Sequence, residues 1–199
     1  MKLRCDGKNH CEDSSDEEDC KMIKPSVGYN KLITPISEGE GRLNVTLSFE
    51  GKDVLLIDES TKSFKLMYTF TKTWYDEYLT FQNLKTDSEN FIGEEEYLEM
   101  WAPWLYIVNL ENHGMCQRTD KKDVIKIIPN SENEYTRSPF INLQNAFLFN
   151  GSRSKIFHEK EWTCEFICSF NYRWYPFDTQ NCPIIISENR DLEVIYVNE

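Results

Sequence analysis

The sequence has 199 residues, enough for one domain and a small appendage, and its 22 basic and 34 acidic residues give a formal net charge of −12. That charge argues against a nucleic-acid-binding surface, whereas 40% hydrophobic and 14% aromatic residues supply enough apolar surface for a folded core. No apolar run reaches the roughly 18 to 20 residues of a membrane-spanning helix, and the first residues do not resemble a secretory signal.

The seven cysteines favour an extracellular protein, because disulfide bonds persist mainly in oxidising compartments. They form two groups: Cys5, Cys11 and Cys20, then Cys116, Cys164, Cys168 and Cys182. Two Asn-x-Ser/Thr triplets, beginning at Asn44 and Asn150, are candidate glycosylation sites and favour the same location. Because the cysteine count is odd and no export signal is visible, we expect the sequence to be a piece of a longer chain.

Residues 1–20 are predicted to form a small separate module. Between Cys5 and Cys20 the sequence contains seven carboxylates and almost no apolar residues, so disulfides or a cation must stabilise any fold there. The spacing of its cysteines and acidic residues resembles the second half of a low-density-lipoprotein-receptor class A repeat. A solvated acidic tail is the alternative, and a zinc site built from Cys5, His10 and Cys11 would not have the spacing of zinc modules.

The class A resemblance implies a disulfide pattern and a cofactor. Cys5 would pair with Cys20, and Cys11 would pair with a cysteine upstream. The cofactor would be calcium, which carboxylate oxygens bind well. The implied calcium ligands are Asp6, Asp16 and Glu17. His10 stands where class A repeats usually have another aspartate, so the sequence departs from the calcium-binding pattern at that position.

The rest of the chain shows the alternation typical of β-strands. Residues 21–40 contain several Pro and Gly residues without periodicity and predict a linker. From residue 41 apolar and polar residues alternate between turn residues, and residues 94–100 predict a helical turn. The predicted strands are 43–49, 54–57, 63–74, 124–128, 146–149, 162–170, 183–186 and 192–197. This pattern predicts an all-β fold over residues 41–199, an immunoglobulin-like antiparallel β-sandwich.

The most informative motif lies between Cys168 and Cys182. Thirteen residues separate these cysteines, with Tyr-Pro-Phe-Asp at 175–178. The segment resembles the signature loop of the Cys-loop pentameric ligand-gated ion channels, and an ordinary hairpin closed by a disulfide is the alternative. Two further segments resemble the same family in the right order: Trp74-x-Asp76-x-x-Leu79-x-Phe81, then Trp101-x-Pro103 followed by Asn109.

The channel resemblance implies an extracellular ligand-binding domain at the plasma membrane, assembled from five homologous subunits. A small-molecule ligand would bind at subunit interfaces and open a transmembrane pore encoded beyond this sequence, so the sandwich would be incomplete and lack its last strands. Cys168 and Cys182 would form a disulfide. The residues that would face the membrane domain are Tyr175, Pro176, Phe177 and Asp178.

The ligand-binding positions depart from the channel pattern, in which a box of aromatic side chains commonly suits amines. Trp104 replaces a frequent aspartate, Val108 replaces a frequent aromatic residue, and Asn189 replaces a frequent Trp or Phe. The expected aromatic position on the complementary strand falls near Thr69, predicted to face out with Thr71. The ligand-binding candidates are therefore Thr69, Thr71, Trp104, Tyr106, Val108 and Asn189. For Trp104 and Tyr106 a packed structural role is the alternative, and the sequence does not identify an amine ligand.

Other features leave alternatives open. Cys164 lies on the apolar side of its predicted strand, which favours a buried thiol, with a disulfide to Cys116 as the alternative. The sequence contains no nucleophile, metal or phosphate-loop motif and does not predict an enzyme. The alternatives to a channel subunit are a secreted ligand-binding protein with the same fold and a calcium-dependent adhesion module.

Overall fold

The computed structural model describes residues 10–13, 21–36, 41–82, 84–85, 89–111, 116–130, 136–137, 147–188 and 192–197. The strands in these ranges are β1 (Ile23–Pro25), β2 (Leu43–Asp58), β3 (Ser63–Trp74), β4 (Leu79–Gln82), β5 (Asn90–Phe91), β6 (Leu105–Ile107), β7 (Gln117–Arg118), β8 (Val124–Pro129), β9 (Thr136–Arg137), β10 (Phe147–Asn150), β11 (Ser154–Ile167), β12 (Ile186–Glu188) and β13 (Leu192–Val197). The predicted helical turn is confirmed as α1 (Glu94–Tyr97), and a 3₁₀ turn spans Gly151–Arg153.

The strands form a predominantly antiparallel all-β fold, which confirms the predicted fold class. One sheet has the order β13-β2-β3-β11-β8-β5, with β7 also paired to β11. A second sheet has the order β1-β4-β10-β9, and β12 pairs with β6. The antiparallel prediction fails at one edge, because β13 runs parallel to β2. None of the helices in the described ranges is long and apolar enough to cross a membrane.

The buried side chains follow the predicted alternation, because successive residues of a strand point to opposite faces of a sheet. Val45 and Leu47 of β2 are fully buried, and β3 pairs residue by residue over its whole length with residues 156–167 of β11. One apolar cluster joins both larger sheets around Trp74 and Phe81. A second cluster surrounds Phe166 and leads to the base of the segment between Cys168 and Cys182.

Residues 21–36, predicted as part of a linker, contribute to the first of these clusters. Strand β1 pairs with β4, and Ile23 is buried in the core. The Tyr29 hydroxyl donates to the Asp76 carboxylate at 2.9 Å and accepts from the Trp101 amide at 2.7 Å. Because β1 has three residues and ends in Pro25, it is too short to show the alternation by which longer strands are predicted.

The two strands predicted at 43–49 and 54–57 are one continuous strand, β2. Its pairing with β3 shifts register between Gly51 and Asp53 and again between Val54 and Leu56. Such irregularities add residues to one strand and bend it locally. The side chains from Val54 to Ile57 are all exposed, so this end of the sheet carries an apolar edge.

Candidate ligand-binding surface and disulfide loop

A disulfide joins Cys168 to Cys182, and we call the enclosed residues 169–181 the disulfide loop. The tip of this loop exposes large side chains: Trp174 is 71% exposed and Phe177 is 91% exposed. Tyr175 is also exposed, and the bond between Tyr175 and Pro176 is cis. The structure therefore places three of the predicted coupling residues together on the surface, while Asp178 is half-buried beside them.

The Gln180 side chain holds the two halves of the disulfide loop together. Its amide oxygen accepts from the Asn171 backbone amide at 2.8 Å, and its amide nitrogen donates to the Asn171 carbonyl at 3.1 Å. The same nitrogen donates to the Asp178 carboxylate. Gln180 thus makes the two hydrogen bonds to the Asn171 backbone that a paired strand residue would make. Its third hydrogen bond fixes the orientation of Asp178.

The disulfide loop lies at the same end of the sheet as the turn between β2 and β3. The Cys168 amide donates to the Lys62 carbonyl at 2.8 Å, and Ile167 is paired with Ser63. The apolar edge at Val54–Ile57 belongs to this end as well, because Ile57 pairs with Phe64. One end of the domain therefore combines an exposed aromatic loop with exposed aliphatic side chains.

Three ligand-binding candidates form a second surface feature, which we call the exposed stripe: Trp104, Tyr106 and Val108. All three side chains are exposed, Trp104 to 77%, because they occupy alternate positions of an extended segment. The ring centroids of Trp104 and Tyr106 are 6.2 Å apart. Strand β12 supports the stripe by pairing Ser187 with Tyr106. Trp104 and Tyr106 are therefore not buried in the core of the described part of the chain.

A cavity of about 510 Å³ opens beside the exposed stripe. Tyr106 and Val108 line it, together with aromatic side chains from the interior: Tyr68, Phe70 and Trp162. Its size is within the range of small-molecule pockets. The structure thus brings two of the candidates to a cavity with mainly apolar walls.

The remaining ligand-binding candidates are elsewhere. Thr69 and Thr71 lie on the face of β3 opposite to the cavity-lining Tyr68 and Phe70. The prediction that Thr69 faces outwards needs correction, because its side chain is only 9% exposed. In the sheet it is paired with Glu50 of β2 and with Glu161 of β11, so it lies in a central strand between two neighbours. Thr71 is half-buried, and Asn189 lies outside the described residues.

Comparisons with known proteins agree with this geometry. Residues 21–190 match the description "Neurotransmitter-gated ion-channel ligand binding domain". The chain belongs to the neurotransmitter-gated ion-channel ligand-binding domain family. It is 23% identical over 167 residues to "Acetylcholine receptor subunit alpha-type acr-5" of Caenorhabditis elegans, which covers 84% of this chain and 25% of the relative.

A second relative from Caenorhabditis elegans is "Serotonin-gated chloride channel mod-1". It is 23% identical over 158 residues, covering 79% of this chain and 27% of the relative. The chain therefore spans about a quarter of the length of the curated relatives it matches. The match to the ligand-binding domain family begins at residue 21, so it includes residues 21–40, which were predicted to be a linker.

The ligand-binding domain contains a second disulfide, between Cys116 and Cys164. The expectation of a buried thiol at Cys164 was wrong, and the alternative pairing is the one formed. It was not predictable from the sequence, because it depends on the register of β7 against β11, which pairs Gln117 with Thr163 and so sets the cysteines opposite each other. The Tyr68 hydroxyl lies 3.2 Å from the Cys164 sulfur, next to the cavity.

A buried polar cluster in the ligand-binding domain was also missed by sequence reasoning. His158 Nε2 lies 3.2 Å from an Asp123 carboxylate oxygen, and Nδ1 lies 2.8 Å from the Tyr97 hydroxyl. Lys160 also contacts the Asp123 carboxylate, at 3.3 Å. Burial, reinforced by the nearby charge of Lys72, lowers the pKa of His158 to about 4. A neutral His158 satisfies both contacts by donating to Asp123 and accepting from Tyr97.

The structure describes the two candidate glycosylation sites but not the candidate calcium ligands. Asn44 and Asn150 are both exposed, and the Asn150 side chain accepts a hydrogen bond from the Ser152 amide at 2.8 Å. The residues implied by the class A resemblance lie outside the described residues: Cys5, Cys20, Asp6, Asp16 and Glu17. The disulfide between Cys5 and Cys20 and the calcium site thus stay predictions.

Proposed function

We propose that this chain is the extracellular ligand-binding part of a pentameric ligand-gated channel subunit. A small-molecule ligand binds where neighbouring subunits meet, and its binding opens a transmembrane pore. The observation that carries the proposal is the apolar tip of the disulfide loop. Phe177 is 91% exposed and Trp174 is 71% exposed, and contiguous exposed apolar surface marks an interaction site.

The chemistry of the loop supports a membrane-domain partner. Trp174, Tyr175 and Phe177 offer an apolar contact surface, while the half-buried Asp178 offers a carboxylate for charge-assisted hydrogen bonds. A secreted protein of the same fold would have no membrane domain to cover this tip. The tip therefore favours the channel over the secreted alternative.

The placement of the ligand-binding candidates supports a site between subunits. A ring is built from head-to-tail contacts, in which two different faces of each subunit meet. The exposed stripe lies beside the cavity, and the half-buried Thr71 lies on the face of β3 opposite to the cavity-lining Tyr68 and Phe70; Thr69, on the same face as Thr71, is buried. Residues that lie apart in one subunit would then approach each other across an interface.

The proposal is tested by Phe177→Ala in the full-length receptor, expressed in oocytes and challenged with acetylcholine and serotonin, the ligands named for the two relatives. We expect ligand binding to be retained and channel opening to be impaired. Phe91→Ala is the matched control, because Phe91 is an exposed aromatic residue of β5, away from the loop. Normal opening of the Phe177 variant at normal surface expression would refute the coupling role.

We also propose that this protein binds calcium and is glycosylated. Calcium binding by residues 1–20, through Asp6, Asp16 and Glu17, follows from the class A resemblance and is measured by titration calorimetry of the chain with calcium. Glycosylation of Asn44 and Asn150 is supported by their exposure. It is measured by the mass lost on enzymatic deglycosylation of the full-length receptor.

A further inference from the structure

The side chain of Asn109 joins the exposed stripe to the disulfide loop. Asn109 directly follows Val108, the last residue of the stripe. Its amide nitrogen donates to the Ile167 carbonyl at 3.1 Å and to the Pro183 carbonyl at 2.9 Å. Its amide oxygen accepts from the Ile185 amide at 2.9 Å. One half-buried side chain is thus bonded to three separate backbone groups.

Two of these backbone groups lie directly next to the cysteines that close the disulfide loop. Ile167 immediately precedes Cys168, and Pro183 immediately follows Cys182. Asn109 therefore holds both arms of the disulfide loop at the points where they leave the bond between the two cysteines. Because the disulfide fixes the arms to each other, any displacement of Asn109 acts on the loop as one unit.

Backbone hydrogen bonds reinforce the same junction. The Ile167 amide donates to the Asn109 carbonyl at 2.8 Å, and the Val108 amide donates to the Ile185 carbonyl at 2.8 Å. The stripe is consequently bonded to the loop arms on both sides of residue 109. A shift of Val108 relative to these arms would break several hydrogen bonds at once.

Asparagine is suited to this junction by its side-chain chemistry. Its amide provides two N–H donors and one carbonyl acceptor in a plane, and all three contacts use them. Aspartate would keep the acceptor for Ile185 but lose the donors to Ile167 and Pro183. Alanine would lose all three contacts.

We propose that Asn109 is a positioning residue that transmits displacement of the exposed stripe to the disulfide loop. The inference rests on the proposed function, in which ligand binding at the stripe moves the loop. It makes a smaller claim than that function, namely that a change at Val108 reaches the tip of the disulfide loop. It can therefore be measured in the chain itself, without a ligand and without a pore.

The experiment uses fluorine NMR of the chain labelled with 5-fluorotryptophan, with Trp174 at the loop tip as the reporter. Val108→Ala is the perturbation, applied to the parent chain and to chains carrying Asn109→Ala or Asn109→Asp. We expect Val108→Ala to shift the Trp174 resonance in the parent and to produce less than half of that shift in either Asn109 variant. Asn30→Ala is the matched control, because the Asn30 side chain accepts a local bond from the Leu32 amide at 3.0 Å.

Hydrogen exchange at Ile185 separates loss of the contacts from loss of the fold. Asn109→Ala removes the acceptor, so we expect the Ile185 amide to exchange at least about tenfold faster. Asn109→Asp keeps an acceptor but sets a carboxylate oxygen against the Ile167 and Pro183 carbonyls, so we expect it to keep only part of the protection. If Asn109→Ala fails to fold, the aspartate variant carries the test. An undiminished Trp174 shift in the Asn109 variants, or no shift in the parent, would overturn the proposal. Neither result depends on the channel-opening test of Phe177.

Discussion

Replacing Gly151 by alanine tests how closely the 3₁₀ turn packs against the segment before β4. Gly151 is buried, and a Cβ atom at this position would lie 1.9 Å from the Asp76 carbonyl oxygen and 2.6 Å from the Leu79 carbonyl oxygen. Both neighbours are backbone atoms, which cannot rotate away as a flexible side chain could. Accommodation therefore requires the backbone of one segment to move.

The segment that would have to move is itself fixed. Asp76 is fully buried, and its carboxylate accepts hydrogen bonds from the Tyr29 hydroxyl and, at 3.0 Å, from the Tyr78 amide. Overpacking a well-ordered core costs typically 1–3 kcal/mol and occasionally more. Because the two clashes involve backbone, we expect Gly151→Ala to lower the free energy of unfolding by about 3 kcal/mol, at the upper end of that range.

The assay is urea unfolding of the chain followed by tryptophan fluorescence. Gly93→Ala is the matched control, because an added Cβ there meets no atom within 4 Å and Gly93 has a φ of −72° that alanine adopts readily. Because Gly93 is the N-cap of α1, where glycine is preferred to alanine, this cost opposes the gain from a stiffer unfolded chain, and we expect the control to stay within about 1 kcal/mol of the parent. Equal stabilities for the two glycine variants, or a Gly151 variant within about 1 kcal/mol of the parent, would refute the packing argument.

Acid sensitivity and the two disulfides give further expectations. Burial keeps the pKa of native His158 at about 4, below its ordinary value of 6.5, so the unfolded chain binds more protons between these values. The free energy of unfolding is therefore not reduced by His158 above pH 6.5, and it falls as the pH drops from 6.5 towards 4. Urea unfolding at several pH values should show a smaller loss in His158→Gln. The same pH dependence of the free energy of unfolding in the parent and in His158→Gln would contradict this explanation. Alanine replacement of Cys116 and Cys164, with a sequence separation of 48, should cost about 4 kcal/mol, against about 3 kcal/mol for Cys168 and Cys182, with a separation of 14. The reverse order in denaturant unfolding would contradict the loop-entropy argument.

Strand β3, the second half of β11 and the disulfide loop could be predicted because their signals are local, whereas residues 154–161 of β11 were not predicted as strand and residues 168–170 lie beyond its end. Alternation along β3 and β11 records which side chains face the core, and the buried Phe64 and Phe166 follow it. The loop is bounded by cysteines only 14 residues apart. In both cases the residues that identify the feature are also the residues that form it.

The missed features depend on residues that are distant in sequence. Lys72 lies on the apolar side of β3, where alternation predicts a hydrophobic residue, and burial lowers its pKa to about 8. It is tolerated there because its ammonium group donates to the Pro103 carbonyl at 3.0 Å, and a buried polar group is stable when it is hydrogen-bonded. That partner, 31 residues away, cannot be identified from the pattern of β3 alone.

The contrast between the base and the tip of the disulfide loop bears on how the loop would work. At the base, Cys168 is buried and Phe166 packs against Phe64 with ring centroids 5.2 Å apart. At the tip, Phe177 is 91% exposed. A base held by packing, a disulfide and the Asn109 side chain resists internal deformation, because dense cores do not deform continuously. The loop would therefore move as one body, so its tip would shift whenever the segment from β6 to Asn109 shifts.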